Sequence, residues 1–86
     1  MEVGAREIAV ELQAEFRRTA HHDIRIERIE EDEAGIRISF NFGRGTFSLD
    51  EVFALLHIAR RHYMNAEFEV EADGDDLLVH VTLQRL

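Results

Sequence analysis

Five histidines, two serines and a surplus of carboxylates are the residues with which this chain could do chemistry. His21-His22-Asp23 is the most metal-like cluster, since imidazole and carboxylate both ligate zinc or nickel. Adjacent side chains at a helix-to-strand junction diverge, however, and nothing else at ligand spacing completes a site. The expectation is a solvated helix end, where one imidazole meets the last helical carbonyls. His57 and His62 stand five residues apart on a helical segment, about 140° around its axis, and cannot share a ligand. His80 is expected on the outer side of the last strand, with Thr82 and Gln84.

Nucleophilic catalysis needs a hydroxyl beside a base and a pair of donors for the oxyanion. Ser48 serves as a helix cap. Ser39 lies mid-strand between Arg37 and Asn41, and these three residues with His80 converge on one sheet face under one strand order. A small polar ligand would sit there, bound by Arg37, Asn41 and His80. Gly43-Arg44-Gly45 before a helix is a weak phosphate-loop signal, with no dinucleotide fingerprint and no lysine after it; turn geometry explains its glycines. Arg17-Arg18 and Arg60-Arg61 would form a basic spot if those helix ends were neighbours. No catalytic residue, metal ligand or cofactor site emerges, so the chain is read as a non-enzyme.

The elements that position these residues follow from periodicity. Val3 to His21 carries Ala5, Ile8, Ala9, Leu12, Phe16 and Ala20 on one helical stripe, with glutamates early and Arg17-Arg18 late. Residues 23–30 alternate as a half-buried strand in which Ile29 falls out of phase, the mark of a bulge or a strand end. After the turn Asp32-Glu33-Ala34-Gly35, the residues Ile36, Ile38, Phe40 and Phe42 line one face, which makes the two strands a hairpin. Ser48 with Glu51 is a capping box, and Phe47 with Val52 fits the accompanying staple. That second helix is expected to run to about Met64, with Asn65 left-handed. Ala66, Phe68, Val70 and Ala72 then alternate with Glu67, Glu69 and Glu71. Leu77, Val79, Val81 and Leu83 form the last strand after an Asp-Gly-Asp-Asp turn.

A single α+β domain over residues 1–86 follows: a two-layer sandwich, αββαββ, with a four-stranded, mainly antiparallel sheet and both helices on one face. One strand order is 3-4-2-1, with the second and fourth strands central and parallel. At the level of element order this resembles ferredoxin-like domains with the first strand moved to the C-terminus, a likeness of fold that carries no residues across. An order with the hairpins meeting along other edges fits the pattern equally. On the second helix, Leu49, Val52, Phe53, Leu56, Ala59 and Tyr63 are expected to face the core. Leu55 and Ile58 then lie off that stripe, either against the first helix or as a partner surface.

Net charge is −8, from 18 acidic and 10 basic residues, every basic one an arginine. Such a balance opposes binding to a phosphate backbone. No apolar run reaches the roughly 20 residues of a membrane span, and Met1 to Arg6 does not read as a signal peptide. Cysteine is absent, so no disulfide is available. The expected function is a small, acidic, cytoplasmic protein-binding or regulatory module, a homodimer, with itself or a basic protein as partner. Its surface would involve Leu55 and Ile58 or the acidic strand Glu67, Glu69 and Glu71. Alternatives are a ligand-binding domain using the open sheet face, and a designed scaffold, which the missing lysine and proline suggest.

Overall fold

The computed structural model describes residues 4–86. Helix α1 (Ala5–Ala20) leads to strands β1 (Arg25–Glu31) and β2 (Gly35–Asn41), then helix α2 (Leu49–Arg61) and strands β3 (Met64–Asp73) and β4 (Asp76–Arg85). The expected start of the first helix at Val3 lies outside the described residues. The sheet order is β1-β2-β4-β3, which is 3-4-2-1 read from the other edge. All three neighbouring pairs are antiparallel, correcting the parallel pairing expected for β2 and β4. The crossover through α2 sends β3 in the direction of β2, and the two-residue turn Gly74-Asp75 reverses the chain. Strand β4 therefore enters between them, antiparallel to both.

Between Ile26 and Arg28 the β1 ladder slips, leaving Glu27 as a bulge. Ile26 then pairs with Phe40 and Ile29 with Ile38, so the isoleucine that is out of period in the sequence returns to the core side. Both helices lie on that side. Ile8, Leu12 and Phe16 of α1, and Leu55, Ile58 and Ala59 of α2, share one core with Ile36, Ile38, Phe40, Val79, Val81 and Leu83. The Phe16 ring stands edge-on to Phe40 at 5.2 Å and to Phe47 at 5.9 Å between centroids. At the other end of the helical layer, Glu11 of α1 receives Arg61 and, at 2.8 Å, His62 Nε2. No helix among the described residues is long and apolar enough to cross a membrane.

The buried stripe of α2 is rotated from the expected one. Leu55 and Ile58 are fully buried, while Leu49, Phe53 and Tyr63 are exposed. A helix in a two-helix layer buries the sector between the sheet and its neighbour. In α2 that sector contains Leu55, Ile58 and Ala59, while Asp50, Phe53 and His57 line a groove shared with Glu15, Arg18 and Thr19 of α1. The helix also stops earlier than expected: Tyr63, with φ of 58°, takes the left-handed turn, and Met64 opens β3 directly.

The N-terminus of α2 is capped as its sequence requires. The backbone amide and hydroxyl of Ser48 both donate to Glu51 Oε1, at 2.8 and 2.9 Å. Glu51 is only 1% exposed, and its Oε2 has no hydrogen-bond partner. Burial acts to raise its carboxyl, but the Thr19 hydroxyl and the two Ser48 donors outweigh that and hold it below the ordinary glutamate range. The Thr19 hydroxyl also makes a long 3.4 Å contact to the Phe16 carbonyl. A depressed folded-state carboxyl stabilises fully above its unfolded-state pKa, and the contribution disappears as pH falls through the folded value. Thermal melts taken from neutral to acid pH are expected to show this loss in the parent and a flatter profile in Glu51→Gln. Glu51→Ala is expected to cost about 1–2 kcal/mol at neutral pH. An unchanged acid profile in Glu51→Gln would show that the carboxylate contributes nothing.

Candidate functional site

With one sheet face largely covered by the helices, three regions remain: the open face, the overhang at β3, and a groove between the helices. The groove, of about 820 Å³, is lined by Glu15, Arg18, Thr19, Phe53, His57 and Arg61. Alternation along β2 and β4 puts Arg37, Ser39, His80 and Thr82 together on the open face. Ser39 faces His80, and Arg37 faces Thr82, across the β2–β4 ladder. Ser39 Oγ lies 2.8 Å from His80 Nδ1, and His80 Nε2 lies 2.9 Å from Glu71 Oε1. The consistent tautomer has Nε2–H donating to the carboxylate while Nδ1 accepts the serine hydroxyl. Arg37 Nη1 donates to Thr82 Oγ1 at 3.2 Å. A shallow depression of about 410 Å³ is lined here by Arg37, Glu67, Phe68, Glu69, His80 and Thr82.

This serine–histidine–carboxylate chain can hold a proton, but it lacks the rest of an acyl-transfer site. β2 is paired on both sides, so the amides around Ser39 are committed to ladders and offer no free donor pair to an oxyanion. Glu71 is the member that reading the sequence missed. It sits diagonally from His80, whose direct partner is Glu69, and diagonal cross-strand neighbours appear only once pairing is known. Asn41 does not join the group and is corrected as a ligand residue. It is buried, its Nδ2 donates to Glu27 and Asp76, and its Oδ1 accepts the Gly43 amide at 2.7 Å. Both its amide hydrogens and its oxygen are engaged in fastening the loop after β2 to the bulge and to β4.

The histidine pair diverges. His21 ends α1 in the left-handed region, its amide bonded to the Arg17 carbonyl, while Asp23 pairs with Arg17. The His22 ring lies on the Gly43-Arg44-Gly45 loop, with Nε2 2.6 Å from the Phe42 carbonyl. A Cβ on Gly45 would come within 2.6 Å of that ring, so its glycine makes room for His22. The amides of Gly43 and Gly45 are spent on Asn41 and Phe42, which leaves no cradle for a phosphate. Among the described residues no group of three or more His, Asp and Glu could hold a metal ion. Arg18 of one arginine pair and Arg61 of the other line a single groove between the helices, but each is ion-paired with a glutamate of α1, Arg18 with Glu15 and Arg61 with Glu11.

The overhang is the other candidate. A 13-residue helix spans about 20 Å and a ten-residue strand about 33 Å, so α2 leaves part of β3 uncovered. Phe68 and Val70 point to the helix side yet remain 43% and 49% exposed. On α2, Leu49, Phe53 and Leu56 follow at the i, i+4, i+7 spacing, exposed by 70%, 63% and 37%, and Phe53 also lines the groove shared with α1. Leu55 and Ile58, for which the sequence leaves packing on the first helix and a partner surface both open, are inside the single chain, which corrects the partner-surface alternative; the exposed apolar residues of α2 are this other set. Glu67, Glu69 and Glu71 stand on the opposite face of β3, opposite Thr82, His80 and Leu78 of β4, and are exposed. Strand β3 is an outer strand of the sheet, so the apolar and acidic rows flank a single edge. Compared with protein-family models, curated proteins and solved structures, the chain finds no match in any of the three.

Proposed function

We propose that this chain is a small protein-binding module that receives a basic, partly apolar segment of another protein along the uncovered flank of α2 and β3. The observation that carries the reading is the grouping of Leu49, Phe53, Leu56, Phe68 and Val70, all large, apolar and exposed on two neighbouring elements. Large apolar side chains gathered in one region are a feature of interaction surfaces rather than of ordinary solvated ones. The charge of the partner follows from the chain's −8 and from the glutamate row beside the patch. Self-association through β3 would set two such rows side by side, a repulsive arrangement, so a foreign basic segment fits better than a second copy.

Two fluorescein-labelled probes test the reading by anisotropy: an extended peptide of alternating arginine and valine, and an amphipathic helical peptide of leucine and arginine. At least one is expected to bind. The double variant Leu49→Ser/Phe53→Ser should weaken it by about tenfold or more, as removal of apolar anchors does, and added salt should weaken it further. Light scattering on the free protein is expected to give the mass of a monomer. Binding of neither probe, or binding indifferent to both the double variant and salt, would sink the proposal.

A further inference from the structure

The edge of β3 carries more information than its side chains. Leu77 donates its amide to Gly43 and accepts from Phe42, both at 2.8 Å, so its backbone is turned toward β2. Its partner across the β3–β4 ladder is Ala72. In an antiparallel pair of that kind the two residues turn their N–H and C=O groups away from each other. Ala72 therefore directs its backbone groups outward, and alternation gives the same orientation to Val70, Phe68 and Ala66. The ladder runs unbroken from Met64 to Asp73. Strand β1, the opposite edge, is shorter and bulged at Glu27, two devices that blunt an edge against pairing. Strand β3 has neither.

We infer that β3 binds its partner by strand addition: an extended segment alternating basic and apolar residues pairs with the outward backbone groups of Ala66, Phe68, Val70 and Ala72. This rests on the protein-binding reading above and specifies how the partner is held. A strand laid along this edge alternates its side chains as β3 does. Its basic residues come beside Glu67, Glu69 and Glu71 on the open face. Its apolar residues come beside Phe68 and Val70 on the helix side, next to the exposed flank of α2. The glutamates act as a filter: they repel the acidic edge of another copy and admit a cationic strand.

Val70→Pro separates strand addition from side-chain docking. The Val70 amide makes no bond to β4, and proline is tolerated where an edge strand's amide faces solvent. The variant is expected to keep the parent's circular dichroism and to bind the alternating arginine–valine peptide at least about tenfold more weakly, for want of a pairing amide and the flanking geometry. A block peptide of the same composition, arginines first and valines after, is expected to bind more weakly by a similar factor. Hydrogen exchange of the unmodified protein supplies a readout that does not depend on the variant's folding. On adding the alternating peptide, the amides of Phe68 and Val70 should gain protection, while those of Glu67 and Glu69, already bonded to β4, should change little. Equal binding of both peptides with no new protection at Phe68 and Val70 would overturn strand addition and leave the protein-binding module standing. Failure of both arginine–valine peptides, with the helical probe still binding, would overturn it in the same way. Failure of all probes removes both proposals.

Discussion

Leu55→Glu is expected to unfold the domain, whereas Phe53→Glu, two positions away on the same helix, leaves it folded. Leu55 is completely buried and Phe53 is 63% exposed. Truncating a buried leucine costs about 3 kcal/mol, and a carboxylate introduced there without a partner costs several more or must take up a proton. A domain of this size holds in total roughly 5 kcal/mol, so the sum exceeds the reserve. Ile58→Glu should follow the same course for the same reason. Far-UV circular dichroism with urea titration reads the difference directly. A folded Leu55→Glu with the parent's midpoint would mean that α2 is rotated from the orientation described, with Leu55 outward as a partner surface.

Gly35→Ala should destabilise nearly as severely, through the backbone rather than the core. Gly35 begins β2 after a turn held by Asp32, whose Oδ1 accepts the amides of Ala34 and Gly35 at 2.8 and 3.0 Å. A Cβ at this position would overlap the Leu83 carbonyl oxygen and lie 3.0 Å from Gln84 Cα. Both obstacles are main-chain atoms of β4, so no side chain can swing aside, and the central β2–β4 pair must separate locally. We expect a loss of about 3 kcal/mol, the upper range for forced overpacking. Gly74→Asn is the control. That glycine has positive φ but nothing within 4 Å of an added Cβ, and asparagine tolerates the left-handed region. Its urea midpoint should stay close to the parent's. If Gly35→Ala also stays there, the close approach of β2 and β4 at this point is wrong.

The candidate site was legible in part. Alternation alone turns Arg37 and Ser39 away from the core face of β2 and His80 away from that of β4, because a strand has a period of two whatever its neighbours. The β2–β4 pairing then brings them together. Alternation also marks Glu67, Glu69 and Glu71 as a single row. Asn41 shares the face by alternation, yet its amide is consumed by Glu27, Asp76 and Gly43. These contacts span 14, 35 and two residues of chain, and the first depends on the bulge. The helix offers less. With apolar residues around much of α2, periodicity gives no unique inward direction, and Leu55 and Ile58 fall off the expected core stripe although the core contains them.

What the sequence determined by itself is local. Two helical periods, four alternating runs, the Ser48–Glu51 cap and the out-of-phase Ile29 are consequences of neighbouring residues, and each is present in the fold. The tertiary structure decided what depends on distant partners. It turned α2 so that Leu55 and Ile58 meet α1 and the sheet, and it inserted β4 antiparallel between β2 and β3. It also left β3 longer than the helix above it, with backbone groups and apolar side chains on one uncovered edge. The physical reason is that burial and pairing are properties of pairs of elements. A residue's own pattern says which faces an element has, and packing alone selects the one that is covered.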